Sequence, residues 1–494
     1  MAPSSKDPSV EAVDETYVLE SRDGDREAQP AVVDDRALLR KIDRWFVPPL
    51  AILYLMSFLD RSNLGKCVVF GLKEDLNLMG NEYNVALAVF YALYVIVEAP
   101  ANAILERWRA GAWISLIMFL TAIITICMGF VRNYGSLMAV RALLGIVEGG
   151  FYPGAMAMIQ AWYPRAETAY RSCLLYAAAN ASGAFGGLIA RGIERMDGIA
   201  GREGWRWIFI IEGAITVVVV GGCSFILPDS PRTARFLTEV EKDRVVARTQ
   251  EDDQSMPQDF DKRYIIDAIT SPIVWTFMLV ELGSLTSVYA FSNFAPSIIK
   301  GMGFTAANAN LLTVPPYVLG CIVCFIVGHL SDRYKTRYPF VITLALVAFA
   351  GYIILIATDV VAAQYVACCL VCMGSFALIP LEISWNGNCQ GGSLKRAVGI
   401  AMQIGCANTG GIVGAFVYRT EDAPRYILGH AVMAGFLGMT MILSTGIYLY
   451  LRRENARRDA KYGPGPECYA NLSRNIINEE RVWGDNARWF RYML

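Results

Sequence analysis

Twelve apolar runs dominate this chain, each close to the ~20 residues a helix needs to cross the hydrocarbon core of a bilayer. They fall at about 45–63, 83–104, 113–131, 136–160, 171–190 and 206–227, then at about 272–297, 309–330, 339–357, 363–385, 394–417 and 427–451. Backbone polar groups have no water to bond in hydrocarbon, so a spanning segment must satisfy them internally, and runs of this length do so as α-helices. The composition agrees: 55% of the residues are hydrophobic and 18% charged, with a mean hydropathy of +0.37. The expectation is an all-α membrane protein of twelve transmembrane helices in two pseudo-symmetric six-helix halves.

The division into halves comes from a polar stretch, Asp229 to about Asp267, which carries E-V-E-K-D-R-V-V-A-R and reads as a capped, charged surface helix. The predicted organisation is a disordered, acidic tail over 1–35, a first half over 36–227, a central loop over 228–271, a second half over 272–451 and a tail over 452–494. Residues 1–35 lack a basic stretch followed by an apolar core, so no cleaved signal peptide is expected and the first helix serves as the targeting signal. Basic residues in short loops set orientation. Arg107 and Arg109, Arg165 and Arg171, Arg333, Lys335 and Arg337, Lys395 and Arg396, and the cluster from Arg452 to Arg458 share one side with both termini. That side is expected to be the cytosol, against which stand Arg191, Arg195 and Arg202 on the other face.

Several function classes drop out. A formal net charge of −1 gives no footprint for nucleic acid. The twelve cysteines lie mostly in apolar runs, where they behave as small hydrophobes, and two histidines give little to bind a metal. The phosphate-loop lookalike G-M-G-F-T-A (301–306) follows no strand. No enzyme, metal or cofactor is expected.

Charges inside the apolar runs are the informative residues, because a bilayer tolerates them chiefly where they face a bundle interior or a wet cavity. Arg141, Gly145, Glu148 and Tyr152 recur at helical spacing on one face of the fourth run, with Arg141 and Glu148 ~10 Å apart along the axis. Gly145 and Gly149 permit close approach of a neighbouring helix. The competing reading is a structural ion pair between helices.

The two halves echo one another. G-H-L-S-D-R-Y-K-T-R (328–337) after the eighth run has a degenerate partner, N-A-I-L-E-R-W-R-A-G (102–111), after the second, as in transporters built from repeats. The G-x-x-x-D-R-x-x-x-R turn resembles the signature of the major facilitator superfamily. Further motifs resemble its anion:cation symporter family, in the fungal allantoate, nicotinate and pantothenate permease branch. They are F-L-D-R-S-N-L-G (58–65), R-A-L-L-G-I-V-E-G-G-F-Y-P-G (141–154), W-Y-P-R-A-E-x-x-Y-R (162–171), G-W-R-W-I-F-I-I-E-G (204–213), L-P-D-S-P-x-x-A-R-F-L (227–237) and K-R-A-V-G-I-A-M-Q-I-G (395–405). The resemblance implies alternating access to a central site and movement of a small organic anion with a coupled proton or cation. It also implies anion binding and proton coupling by residues at the positions of Arg61, Arg141 and Glu148. Where some relatives carry a cation on the seventh helix, this chain has E-L-G-S-L-T-S-V-Y.

A carboxylate cargo calls for a permanently charged bidentate partner, and Arg141 is the first candidate, with Arg61 as an entry or gate residue or else satisfied by Asp60. Glu148, poised beside a cation, is the candidate proton carrier. Asn180, Gln403 and Asn408 are candidate substrate hydrogen-bonders, though such residues also bond helix to helix. Glu106, Arg107, Asp332, Arg333 and Arg337 read as latches that form in one state and break in another. Glu98 and Glu212 read as packing or loop anchors near helix ends, and Glu281 and Glu382 as the second half's share of the cavity wall. The expected protein is a proton-coupled uptake symporter, functional as a monomer in the plasma membrane. An exporter on the same fold is the rival, disfavoured because the fifth run, S-C-L-L-Y-A-A-A-N-A-S-G-A-F-G-G-L-I-A, lacks the Gly-Pro dipeptide such pumps carry; a non-transporting receptor ranks third.

Overall fold

The computed structural model describes residues 33–494 except 106–107, 194–195, 255–261, 466–467, 469–471, 473–475, 477–479 and 481–482. The expected disordered tail therefore lies, up to residue 32, outside the described residues, as do the candidate latches Glu106 and Arg107. The described chain is helical throughout. An amphipathic helix, α1 (Asp35–Trp45), is capped by the Asp34 carboxylate, which accepts from the Arg36 N–H at 2.9 Å, and leads into the first span, α2 (Val47–Val68), with prolines in its opening turn. The first half continues with α3 (Glu82–Leu105), α4 (Ala110–Met128), α5 (Tyr134–Glu148), α6 (Phe151–Trp162), α7 (Arg165–Ile193) and α8 (Gly204–Ile226). After the loop helices α9 (Glu239–Gln254) and α10 (Lys262–Thr270) come α11 (Pro272–Gly301), α12 (Val314–Tyr334), α13 (Tyr338–Ala357), α14 (Val361–Cys389), α15 (Ser393–Asn408), α16 (Gly410–Val417) and α17 (Ile427–Tyr462).

Eleven of the resulting spans are long and apolar enough to cross a membrane, counting α5 with α6 and α15 with α16 as one each, and the 24-residue α3 completes twelve. The fourth and eleventh spans are broken within the bundle, and the eighth is preceded by a short helix, Ala306–Leu311, set off by a break at 312–313. The fourth, expected as one helix over 136–160, stops at Glu148 and restarts at Phe151 after Gly149 and Gly150. Pro153 explains the restart: as the third residue of α6 it lacks an N–H that would have no intrahelical partner there. The glycines explain the position, since a Cβ on Gly149 would lie 2.8 Å from the Tyr94 carbonyl of α3. The first span also runs five residues past its expected end at Asn63, to Val68.

At the end of the bundle that carries the termini, ion pairs tie α1 to the loop helix and to α7. Lys41 meets Glu241 at 2.7 Å, Arg244 meets Asp35 at 2.8 Å, Arg248 meets Glu167 at 2.6 Å and Arg171 meets Asp43 at 2.8 Å. Residues 483–494 fold beneath the second half. Lys395 pairs with Asp485 at 2.8 Å, the Trp385 indole donates to the Met493 carbonyl at 2.9 Å and the Arg337 N–H to the Leu494 carbonyl at 2.7 Å.

The halves meet closely at the opposite end. Gly65 of α2 lies against the Asn293 backbone of α11, leaving no room for a Cβ. The Asn84 side chain donates to the Ala415 carbonyl at 2.8 Å and the Lys300 ammonium to the Val69 carbonyl at 3.3 Å. Along their length α7 and α12 also pack tightly, with Gly328 seated on Cys173 and Gly183 on the Tyr317 ring. Between the halves on the termini side lies a cavity of about 250 Å³ lined by Glu98, Leu105, Met156, Ile400, Ala401 and Ile404. The far end is therefore sealed by backbone-to-backbone contact while the near end keeps space. Gly65→Val should prise the seal apart. A cysteine introduced at Asn84, which is 4% exposed, should then react several-fold faster with an impermeant maleimide applied to the face remote from the termini, after subtraction of the parent's own cysteines; an unchanged rate would show that this contact does not hold the end shut.

Candidate functional site

The buried charges converge where α2, α3 and α5 meet. Seven residues along α5 from Arg141, Glu148 ends that helix and is fully buried. The sequence suggested Arg141 as its counter-charge, but the ion pair Glu148 makes is with Arg61 of α2, whose Nε lies 3.2 Å from Glu148 Oε2. Ser57, one turn before Arg61 and so on the same face of α2, donates a short hydrogen bond to Glu148 Oε1. Helix spacing fixes which residues share a face, not which neighbour the face meets, and here α2 brings its own cation to the carboxylate. Asp60 does not satisfy Arg61. Adjacent residues on a helix point about 100° apart, and both Asp60 oxygens are buried without a hydrogen-bond partner on another side of α2.

The Arg61 guanidinium is wrapped in rings, 4.7 Å from the Tyr94 centroid, 5.1 Å from Phe58 and 5.7 Å from Phe90. Such contacts stabilise a desolvated cation by roughly 1–2 kcal/mol each at best and exclude lipid. Gly145 makes this possible: it abuts the Phe90 backbone so closely that a side chain there would separate α5 from α3. Arg141 is different. It is 1% exposed, its Nε and Nη2 have no hydrogen-bond partner, and no ion pair engages it among the described residues. Its neighbours include Tyr83, Tyr91 and Cys67.

The other sequence candidates separate. Asn408 does not hang free: its amide donates to Glu98 Oε2 of α3 at 3.0 Å and its oxygen accepts from Tyr289 of α11 at 2.7 Å, so it bridges the halves. Glu98 and Glu212, expected near helix ends, lie well inside α3 and α8, and Glu212 accepts a short bond from Asn63. Gln403 accepts from Asn386 at 2.7 Å and turns its own amide nitrogen toward Glu281. Asn180 sits at the α7–α12 contact, its Nδ2 3.6 Å from where a Cβ on Gly320 would stand, with neither polar atom bonded. At the termini end Arg337, 4% exposed, holds Asp332 at 2.6 Å and Ser331 at 2.5 Å, while Arg333 is exposed.

Sequence reasoning overlooked Ser57, Asn293 and Lys66. Ser57 was legible as the residue four before Arg61. Asn293 donates to the Tyr91 hydroxyl at 3.3 Å across the halves, a contact with no local signal. Lys66, 3% exposed, donates to Asn63 Oδ1 at 3.2 Å and lies across Gly186 of α7.

Comparison with known proteins decides the family. The sequence pattern described as Major Facilitator Superfamily matches residues 50–417. The chain belongs to the major facilitator superfamily. Its similarity to an uncharacterized transporter of Schizosaccharomyces pombe is 36% identity over 93% of this chain and 90% of the relative. To the high-affinity nicotinic acid transporter of Saccharomyces cerevisiae it is 30%, over 98% and 89%. A crystal structure of a bacterial homologue of the human lysosomal transporter Spinster, in an inward-facing, occupied conformation, shares the fold, with a TM-score of 0.62 at 16% identity over 82% of this chain and 96% of that one. This superfamily member is a membrane transporter, integral and multi-pass.

The transporter's two arginines make opposite demands on its stability. Removing Arg61 strands a fully buried carboxylate, which costs on the order of 3 kcal/mol, whereas removing Arg141 relieves a buried cation that has no counter-ion. Unliganded Arg61→Gln protein should melt several degrees below the parent in detergent, and Arg141→Gln protein at or above it. The reverse order would reassign the paired cation.

Proposed function

We propose that this transporter carries a small organic anion inward together with a proton, with no bound cofactor. The observation that carries the reading is Arg141: a buried guanidinium with unpartnered donors, one helix face away from a second arginine that already has its carboxylate. A cargo carboxylate supplies the missing counter-charge to Arg141 in bidentate fashion. As that anion nears Arg61 it competes with Glu148 for the same guanidinium. Glu148, losing its partner in a low-dielectric setting, is then stabilised by taking up a proton, so cargo and proton load together. After both leave, the Arg61–Glu148 pair re-forms and neutralises the empty site.

The nicotinic acid transporter among the relatives supports a carboxylate cargo. The carrier works as a monomer in the plasma membrane with its termini in the cytosol, so that the cavity beside Glu98 faces the cytosol. Asp332, Arg333 and Arg337 act as the latch of the second half, Gln403 and Asn408 contribute polar contacts on the second half's wall, and Asn180 lies at the junction with α12.

The test is uptake of a panel of radiolabelled carboxylates by cells lacking their own permeases. The parent should accumulate at least one acid against its gradient, faster at acidic external pH. Glu148→Gln should abolish the acid stimulation while retaining exchange of labelled for unlabelled cargo across the membrane, and Arg141→Gln should abolish both. Net outward movement, or acid-stimulated accumulation by Glu148→Gln equal to the parent's, would defeat the proposal.

A further inference from the structure

The interior of the first half mixes buried cations with buried carboxylates, whereas α11 and α14 of the second half bury two carboxylates side by side. On α11, Glu281 is 1% exposed and no ion pair engages it among the described residues. Across from it on α14, Glu382 is fully buried, accepts from Ser284 at 2.8 Å through one oxygen and leaves the other unpaired. Gln403 of α15, held by Asn386 through its oxygen, turns its amide nitrogen toward Glu281 as a weak neutral donor. Among the described residues the charged groups within electrostatic reach of Glu281 are Glu382 and Glu98, and no cation is among them. A buried carboxylate without a partner is costly, and two side by side more so; such a pair is kept where something positive is meant to come.

Glu281 also looks across the interface between the halves. Tyr152 of α6 and Tyr176 of α7, both in the first half, lie within its electrostatic reach. With Tyr54 of α2 they form a cluster whose ring centroids stand 5.6 Å (Tyr54–Tyr152), 5.8 Å (Tyr54–Tyr176) and 5.8 Å (Tyr152–Tyr176) apart. Tyr54 in turn neighbours Arg61 and Glu148. One layer of rings thus lies between the Arg61–Glu148 ion pair and the carboxylates of the second half. The Tyr152 hydroxyl is buried toward Tyr176, so hydroxyls, ring faces and a carboxylate acceptor converge on the same place. Rings beside a carboxylate are the chemistry that recognises a substituted ammonium or pyridinium nitrogen.

We propose that Glu281, with Tyr152 and Tyr176 opposite it, receives a cationic nitrogen of the cargo, so that the carrier selects zwitterionic carboxylates over plain ones. The inference rests on the anion-binding reading of Arg141: the carboxylate end meets the first half and the cationic end the second.

The experiment compares charge at constant shape. Binding to the purified full chain is measured by calorimetry or ligand-induced thermal shift for two isosteric pairs, glycine betaine with 3,3-dimethylbutanoate and 1-methylpyridinium-3-carboxylate with 3-methylbenzoate. In at least one pair the parent should bind the zwitterion tighter by about tenfold or more. Glu281→Gln should bring the two members of that pair to similar affinity by weakening the zwitterion and leaving the neutral-ended acid unchanged. Equal or tighter binding of the neutral-ended acids by the parent, or a preference that survives Glu281→Gln, overturns the proposal. The comparison within the parent stands even if the variant fails to fold. Acids whose binding vanishes in Arg141→Gln, with the zwitterions bound no tighter than their neutral-ended partners or unaffected by Glu281→Gln, would leave the anion carrier intact and remove this inference alone; acids indifferent to Arg141→Gln would remove the reading beneath it.

Discussion

A guanidinium in hydrocarbon must be neutralised, wrapped or left waiting for a partner, and the first half of this transporter does all three within a few turns. Arg61 is neutralised by Glu148 and wrapped by Tyr94, Phe58 and Phe90; Arg141 is buried and waits. The packing around them follows from that requirement. The glycines at 145 and 149 let α3 come close enough for its rings to reach Arg61, and the interruption after Glu148 ends α5 where its carboxylate meets α2. Burying a pair of charges contributes little net stability once desolvation is counted, so the pair is a weak brace, and the proposed function gives it another use, the exchange of partners.

Much of the architecture could be seen in the residues alone, because the bilayer turns a thermodynamic demand into a simple pattern. Runs of apolar residues long enough to span must be helices, and a polar stretch from Asp229 marks the midpoint. Burial of Arg141 and Glu148 was legible for the same reason: charges inside such runs have few places to go. What escaped was partnership across helices. Glu148 pairs with Arg61 rather than Arg141, and Asn408 ties Glu98 to Tyr289, because three-dimensional neighbours depend on how faces are turned toward each other, which periodicity along one helix does not encode. The broken fourth span had a visible cause in Gly149, Gly150 and Pro153, overlooked because membrane helices often absorb such residues without breaking.

The two halves are alike in topology and unlike in charge. The first interleaves Arg61, Arg141 and Lys66 with Asp60, Glu98, Glu148 and Glu212, the second sets the carboxylates Glu281 and Glu382 side by side, and where the halves touch, at the sealed end, contact is made by small residues and backbone at Gly65 and Ala415. A repeat-built fold can thus keep its rocking geometry while each half acquires its own electrostatic character. The Arg61–Glu148 pair on one side of the tyrosines and two adjacent carboxylates on the other give the centre of the molecule a direction that symmetry alone would not supply.

The belt of ion pairs at the termini end has a consequence for how the molecule is made. Asp35 on α1 is held by Arg244, 209 residues later in the chain, and Lys41 by Glu241, 200 residues later. At the ~5–20 residues per second of ribosomal synthesis, α1 must wait on the order of 10–40 s before its partners exist. Throughout that interval its apolar stripe can rest on the lipid headgroups, where an amphipathic helix is at home. Asp43 can meet Arg171 of α7 earlier, but the pairing of α1 with the loop helix is a late event in biogenesis, possible only once all the spans of the first half have been made.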